Sequence, residues 1–201
     1  MTSMADAHYG TEPDEEQLVL ASSSPRRVEL LGLLAPRFEV LPPGVDEGPV
    51  RSPEDLLREA RRKAHAVREK VPRGIVVAAD TGVFRDGRAF GKPRDRAEAA
   101  EFLRALSGGW HSVWTGLVVA RGSEERSELV ETRVLFAPLS EDEITAYIAA
   151  EDVLDKAGAY AIQGRAAPFV ERIEGDFYNV VGLPLASLYR LLKAVGWHPR
   201  A

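Results

Sequence analysis

A short segment near the N-terminus combines serines with two arginines, residue types that bind anions. Residues 22–27 read Ser-Ser-Ser-Pro-Arg-Arg, between an apolar run and an amphipathic one. Ser24 is placed to cap a helix and Pro25 to occupy its first turn, so Arg26 and Arg27 fall where the helix dipole is already positive. A bound anion would offset this excess positive charge, because backbone N–H groups, hydroxyls and guanidiniums donate hydrogen bonds to it. The segment, beginning with Ser22, predicts a phosphate site; two solvated arginines beside an ordinary cap are the alternative.

A carboxylate follows the most apolar predicted strand. Asp80 comes directly after residues 75–79, a β-branched run typical of a strand covered on both faces. We expect the strand to end there, and the ligands of α/β proteins bind at the carboxyl ends of strands. An aspartate that only forms a turn with the next backbone groups is the alternative. Asp80 is therefore a candidate functional carboxylate.

The dipeptide Asp-Gly at positions 86–87 predicts a two-residue β-hairpin just beyond that carboxylate. Such a turn pairs positions 85 and 88. If the register continues without a bulge, Lys92 lies opposite Thr81. The hairpin then returns the Lys92 ammonium to within a few ångströms of Asp80.

Two further charged positions are candidates for the same site. Lys63 lies on or beside the apolar stripe of a helix that begins near Ser52, where it either faces a cleft or extends its ammonium into water. Asp46 and Glu47 lie in a turn rich in proline and glycine. Magnesium-type cations prefer such oxygen ligands together with substrate phosphates, so the pair predicts a metal site, with an acidic surface loop as the alternative.

Residues 155–164 (Asp-Lys-Ala-Gly-Ala-Tyr-Ala-Ile-Gln-Gly) are too small and glycine-rich to pack a core as a regular helix. Such a stretch allows a ligand to approach the backbone closely. Gln163 carries a donor and an acceptor side by side, which suits a base-reading amide or one that satisfies loop carbonyls. Residues 179–184 are predicted to be a strand end and turn before the last helix.

Composition and pattern indicate one α/β folding unit over residues 18–201, after a disordered leader at residues 1–17. The net charge of −5 argues against nucleic-acid binding, and no apolar run approaches the ~20 residues that span a membrane. The absence of cysteine excludes thiolate chemistry and fits a cytoplasmic protein. Extended and helical patterns alternate. Strands are predicted at 18–21, 38–41, 75–79, 113–119, 129–136 and 169–173, and helices beginning near Pro25, Ser52, Asp95, Ser140 and Pro184.

Taken in order, these motifs resemble the Maf family of nucleoside triphosphate pyrophosphatases, over nearly the whole chain. The matching segments are residues 20–31, 79–81, 91–93, 106–108, 155–158, 162–164 and 180–184, with His111 after the fourth. The resemblance implies a mixed twisted sheet with flanking helices and two lobes around a central cleft, related to the inosine triphosphate pyrophosphatase architecture. It also implies hydrolysis of a nucleoside triphosphate to the monophosphate and pyrophosphate, with Mg²⁺ or Mn²⁺, in a possible homodimer.

The same resemblance implies roles for individual residues. Asp80 matches the general base. In the mechanism that we expect from the residues, Asp80 acts on a water alone or through the metal, and Asp46 or Glu47 completes the metal shell. Arg26, Thr81 and Gln163 match the positions that select dTTP and UTP rather than 7-methyl-GTP. One departure is Gly82, where the family usually has a β-branched residue. The phosphate-side positions are matched by Ser22, Arg26, Arg27, Lys63 and Lys92.

Two other function classes remain open at this point. Residues 80–82 (Asp-Thr-Gly) form the triplet of aspartic proteases, whose chemistry needs two facing aspartates, so the single triplet would require a symmetric dimer. A nucleotide-binding regulator of cell division without turnover would use the phosphate motifs equally well. Asp80 favours the enzyme over the regulator, because a pure anion site has no use for a carboxylate beside its phosphates.

Overall fold

The computed structural model describes residues 17–46 and 48–199. Residues 1–16 of the predicted leader and Glu47 lie outside the described residues. Within the described ranges, seven strands form one mixed sheet with helices packed against it. In chain order the elements are β1 (Leu18–Leu20), α1 (Pro25–Gly32), β2 (Glu39–Val40), α2 (Pro53–Arg68), β3 (Ile75–Arg85), β4 (Arg88–Phe90), α3 (Arg96–Leu106), β5 (Trp110–Arg121), β6 (Glu124–Phe136), α4 (Glu141–Ala150), β7 (Val170–Glu174), α5 (Phe177–Val181) and α6 (Leu185–Ala194).

The sheet has the strand order β2-β1-β3-β5-β6-β7, and β4 pairs additionally with β3. Strand β1 is parallel to both β2 and β3, whereas the remaining pairs are antiparallel. The predicted α/β class with a mixed sheet is therefore confirmed.

Three long strands, β3, β5 and β6, run through both lobes of the fold. The start of β3, residues 75–77, pairs with β1, and its end, residues 83–85, pairs with β4. The far end of β6 pairs with β7. Residues 78–82 of β3 lie between the two flanking pairs, so Asp80 and Thr81 occupy the middle of the molecule. This arrangement agrees with the predicted two lobes around a central cleft.

Helix α2 covers one face of the sheet. Its Ala60, Ala64 and Val67 pack with Val76 and alternate residues of β1, β3 and β5, while the opposite face joins the larger core. The residues of β1 and of 75–79 in β3 are buried on both faces, as their apolar runs predict. The helix begins with the capping box predicted from Ser52.

Gly116 on β5 permits the close approach of α2. A Cβ at this position would lie 2.5 Å from the backbone carbonyl carbon of Leu56, where no shift of a side chain could make room. The absence of a side chain thus sets the distance between α2 and the sheet. It also sets where Lys63, two turns further along the helix, meets the sheet.

The structure corrects two expectations around the site. Strand β3 does not end at Asp80 but continues to Arg85, because its ladder with β5 runs unbroken from Ile75 to Phe84. The predicted hairpin register at positions 85 and 88 is confirmed, yet β4 ends at Phe90, so Lys92 does not pair with Thr81. Instead, Lys92 reaches the cleft from the loop that follows β4.

Residues 179–184 are also not a strand end. Residues 177–181 form helix α5, because Asp176 caps it by accepting a hydrogen bond from the backbone N–H of Tyr178 at 2.7 Å. Gly182, with φ of 129°, then ends the helix. Residues 155–164 are irregular as predicted, but Tyr160 and its apolar neighbours are buried in the core.

Candidate active site

A cleft of about 720 Å³ lies where the two lobes meet. Its walls are the loop after β1, the middle of β3, the loop after β4 and residues 155–163. Eight of the ten predicted site residues line it: Ser22, Arg26, Arg27, Lys63, Asp80, Thr81, Lys92 and Gln163.

A buried ion pair lies at the base of the cleft. The Lys63 ammonium on α2 donates to Asp80 Oδ1 on β3 at 2.6 Å. Only 6% of the Lys63 side chain and 14% of the Asp80 side chain are exposed. The alternative in which the ammonium extends into water is therefore wrong. Because a buried charge is costly without a partner, each group fixes the position of the other.

The serine–arginine loop forms one wall of the cleft. The buried Ser22 hydroxyl accepts a hydrogen bond from the backbone N–H of Ser24 at 3.1 Å, which fixes the turn into α1. Ser24 is the N-cap of that helix, as predicted, but its side chain makes no capping hydrogen bond. The half-buried Arg26 lies 3.6 Å from Asp155 Oδ2 across the cleft.

Arg27 connects the beginning and the end of the chain. Its Nε donates to the Gly182 carbonyl at 2.8 Å, and its Nη2 donates to Thr81 Oγ1 at 3.0 Å. The Thr81 hydroxyl also lies 2.9 Å from the hydroxyl of Thr115 on β5. At least two of the five guanidinium N–H groups are therefore committed to the protein, which fixes the plane of the guanidinium beside the cleft.

Of the two acidic residues of the loop that are predicted as metal ligands, the structure describes Asp46. Asp46 is exposed and is not among the lining residues, although the adjacent Val45 is. Glu47 lies outside the described residues. Their metal-binding roles remain predictions.

Comparison with known protein families gives the same assignment as the motifs. The family described as "Maf-like protein" matches residues 17–195. The chain belongs to the Maf family. Among its relatives, a Symbiobacterium thermophilum protein is 51% identical over 90% of this chain and 95% of its own length. A Geobacillus protein is 48% identical over 90% of this chain and all of its own length, and both relatives are named dTTP/UTP pyrophosphatase.

A Carboxydothermus hydrogenoformans protein with the same name is 46% identical over 90% of this chain and all of its own length. Among solved structures, the Ham1 protein of Staphylococcus aureus aligns with a TM-score of 0.46 at 14% identity, over 61% of this chain and 72% of its own.

Among the predicted metal ligands, Asp80 is the one that lines the cleft. Within residues 17–46 and 48–199, no three His, Cys, Asp or Glu side chains are grouped as a metal site. Magnesium commonly keeps several waters and binds through one or two carboxylates plus substrate phosphates. Asp80, which lines the cleft together with the cationic side chains of Arg26, Arg27 and Lys92, fits this second mode.

A second ion pair, between the buried Glu59 and the exposed Arg62, holds the loop that contains Asp46. Glu59 on α2 accepts a hydrogen bond from the Gly48 N–H at 3.1 Å and from Arg62 at 2.7 Å. Arg62 also donates to the Asp46 carbonyl at 3.0 Å. Burial raises the pKa of Glu59, but these hydrogen bonds and the charges of Arg62 and Lys63 outweigh it and leave the pKa below its usual value. The loop is thus fastened to the helix that carries Lys63.

His111 supports the cleft from the core. Burial, with a smaller effect of the Arg85 charge, lowers the pKa of His111 to about 4, so the ring is neutral at physiological pH. Its Nε2 shares a hydrogen bond of 2.8 Å with the Tyr160 hydroxyl, and its Nδ1 has no partner among the described residues. Tyr160 lines the cleft. His111 therefore positions residues near the site rather than acting on a ligand.

Sequence reasoning missed Thr115 and Glu59 as residues of the site. Thr115 is a fully buried hydroxyl on β5, and Glu59 is a carboxylate on the buried stripe of α2, one turn before Lys63. Buried polar groups of this kind usually have a partner. The signal was therefore present in the pattern, but the partners come from distant segments.

No helix among the described residues is long and apolar enough to cross a membrane.

Proposed function

We propose that this Maf chain is a nucleoside triphosphate pyrophosphatase that hydrolyses dTTP and UTP to the monophosphate and pyrophosphate. The observation that carries the proposal is the Lys63–Asp80 pair, 2.6 Å apart at the base of a cleft lined by further cations. Curated relatives at 46–51% identity are named for this activity.

The cationic side chains of the cleft offset the negative charge of the substrate. A nucleoside triphosphate brings roughly four negative charges, which repel a nucleophile until they are offset. Arg26, Arg27 and Lys92 line the cleft, and the Ser22 hydroxyl lies beside the N-terminus of α1. We assign these groups, with Lys63, to the phosphates. The pyrophosphate that leaves is then held by charges already in place.

Asp80 is assigned as the general base. It takes a proton from a water whose oxygen forms a bond to the α-phosphorus, while the bond from that phosphorus to the bridging oxygen breaks and pyrophosphate leaves. Lys63 holds Oδ1 and so orients the carboxyl group towards the cleft. A divalent cation held by Asp80 and the substrate phosphates, with Asp46 or Glu47 as further ligands, would offset phosphate charge.

The specificity assignment uses three cleft residues. Arg26, Thr81 and Gln163 have the identities expected of the dTTP/UTP subgroup, and all three line the same cleft. Gln163 is exposed on the irregular segment 155–164, where its amide is accessible to a base. The possible homodimer and the cytoplasmic location stay predictions.

The geometry weighs against the two rival classes. An aspartic protease needs a second carboxylate facing the first, whereas Asp80 faces the ammonium of Lys63. A regulator without turnover would gain nothing from a carboxylate among phosphate-binding cations. The position of Asp80 in the cleft is therefore better explained by catalysis than by binding alone.

The test is hydrolysis of a nucleotide panel by the purified chain with Mg²⁺ or Mn²⁺. We expect pyrophosphate release from UTP and dTTP, slower release from 7-methyl-GTP, and, in water labelled with heavy oxygen, the label in the monophosphate. Asp80→Asn should lower kcat by about 10²–10⁴-fold with little change in KM. Binding of dTTP without pyrophosphate release would support the regulator, and release of orthophosphate would contradict attack at the α-phosphorus.

A further inference from the structure

The hydroxyl of Thr115 has no role in the chemistry assigned above. Thr115 is completely buried on β5, directly opposite Thr81 in the β3–β5 register. Its Oγ1 lies 2.9 Å from Thr81 Oγ1. Across the part of the chain that the structure describes, this is the only hydrogen-bond partner of that hydroxyl.

This isolation fixes the direction of the hydrogen bond. A hydroxyl has one proton to donate and two lone pairs that accept. A buried O–H without an acceptor costs about 1–3 kcal/mol, so the Thr115 proton points at Thr81 Oγ1. Arg27 Nη2, which can only donate, lies 3.0 Å from the same oxygen. Both lone pairs of Thr81 are therefore occupied by donors from the protein.

The remaining proton of Thr81 is held only weakly by the protein. Its acceptor is the Gly182 carbonyl at 3.4 Å, well beyond the usual ~2.7–2.8 Å of an O–H···O bond. That carbonyl already accepts from Arg27 Nε at 2.8 Å. Thr81 and Gly182 both line the cleft. Thr81 can thus donate a hydrogen bond to a ligand but cannot accept one.

We propose that Thr115 is a positioning residue which, together with Arg27, makes Thr81 an obligate hydrogen-bond donor and so selects a carbonyl oxygen over an amino group on the nucleobase. Uracil and thymine carry a carbonyl at the ring position where cytosine carries an amino group. An amino group opposite the Thr81 proton would place two donors against each other. This inference rests on the proposed function, in which Thr81 belongs to the specificity set.

The test compares UTP with CTP as substrates of Thr115 variants of the full chain. Thr115→Val keeps the shape and removes the proton donor, which frees one lone pair of Thr81 to accept from cytosine. We expect the UTP:CTP ratio of kcat/KM to fall about tenfold, mostly through faster CTP turnover, while kcat/KM for UTP changes little. Thr115→Ser keeps the donor and should retain the wild-type ratio.

A matched control removes a buried hydroxyl elsewhere. Ser187 on α6 is buried and is not among the residues that line the cleft. Its hydroxyl donates a hydrogen bond to Glu128 and accepts one from Arg190. Ser187→Ala should lower thermal stability without moving the UTP:CTP ratio. If Thr115→Val does not fold, Thr115→Ala removes the same donor with less demand on packing.

The outcomes separate this inference from the proposed function. An unchanged ratio in a folded hydroxyl-deleting variant overturns the role of Thr115 and leaves the pyrophosphatase intact. Equal rates of CTP and UTP hydrolysis by the wild type would likewise overturn the role of Thr115 and leave the pyrophosphatase activity intact. Failure of the wild type to hydrolyse UTP and dTTP overturns the proposed function and this inference together. A reduced ratio in Thr115→Val that is restored in Thr115→Ser supports the inference.

Discussion

The Lys63–Asp80 pair makes stability and activity respond differently to the same substitutions. Asp80→Asn keeps an oxygen that can accept from Lys63, but it removes the negative charge that lies 2.6 Å from an ammonium that is only 6% exposed. Loss of one partner from a fully buried pair costs about 3–5 kcal/mol, and the retained hydrogen bond reduces this to about 2 kcal/mol. For a chain of this size the melting temperature should fall by about 4–8 °C.

Lys63→Met has the opposite effect, because it removes the ammonium and leaves the negative charge on Asp80. The Asp80 carboxylate is 14% exposed and faces the cleft, so water can solvate it. We expect a loss of about 1 kcal/mol, or 2–4 °C. The double variant Lys63→Met/Asp80→Asn contains no unpaired charge and should melt within about 2 °C of the wild type, because a buried pair can be replaced at little net cost.

The assay combines thermal unfolding by circular dichroism with pyrophosphate release from UTP. All three variants should be strongly impaired in turnover, while only Asp80→Asn is strongly destabilised. Recovery of stability without recovery of activity in the double variant is the decisive result. Additive destabilisation in the double variant would refute the electrostatic reasoning, and equal losses in the two single variants would refute the inferred difference in burial.

The close packing of α2, the burial of His111 and the assigned metal each have a measurable consequence. Gly116→Ala places a Cβ 2.5 Å from the Leu56 backbone and should cost about 1–3 kcal/mol in urea unfolding, whereas Gly32→Ala, with open space around it, should be neutral. The pKa of His111 is about 4 in the folded state and near 6.5 in the unfolded state, so the free energy of unfolding of the wild type should fall by up to about 3 kcal/mol between pH 6.5 and pH 4. His111→Gln should lose less stability over this range, and parallel pH profiles of the two proteins would contradict the prediction. Activity on UTP should disappear with EDTA and return with excess Mg²⁺ or Mn²⁺, and full activity in chelator would exclude the metal assignment.

Local patterns were sufficient to predict most elements and their caps. The box at Ser140 and the cap at Asp95 begin α4 and α3 as expected, because the cap and its partner are three residues apart. The hairpin register at positions 85 and 88 is confirmed for the same reason. Order along the chain, together with the family resemblance, also indicated that residues from distant segments meet in one cleft.

Features that depend on distant partners were not accessible from local pattern. The continuation of β3 past Asp80 is decided by β5, which pairs with residues 75–84. Helix α5 forms where apolar residues suggested a strand, because Asp176 caps it and the Asn179 amide bonds to carbonyls of β5 and β6. The bond between Thr81 and Thr115 likewise requires the register of two strands.

The uninterrupted ladder between β3 and β5 limits how this molecule can move. Ten consecutive pairs, from Ile75–Arg121 to Phe84–Ser112, carry the backbone straight through the base of the cleft. The halves of the molecule share these strands, so they cannot swing apart on a flexible connection without breaking the ladder. Binding and release of a nucleotide must therefore involve movements of the surrounding loops and long cationic side chains, while the paired strands at the base of the cleft keep their positions.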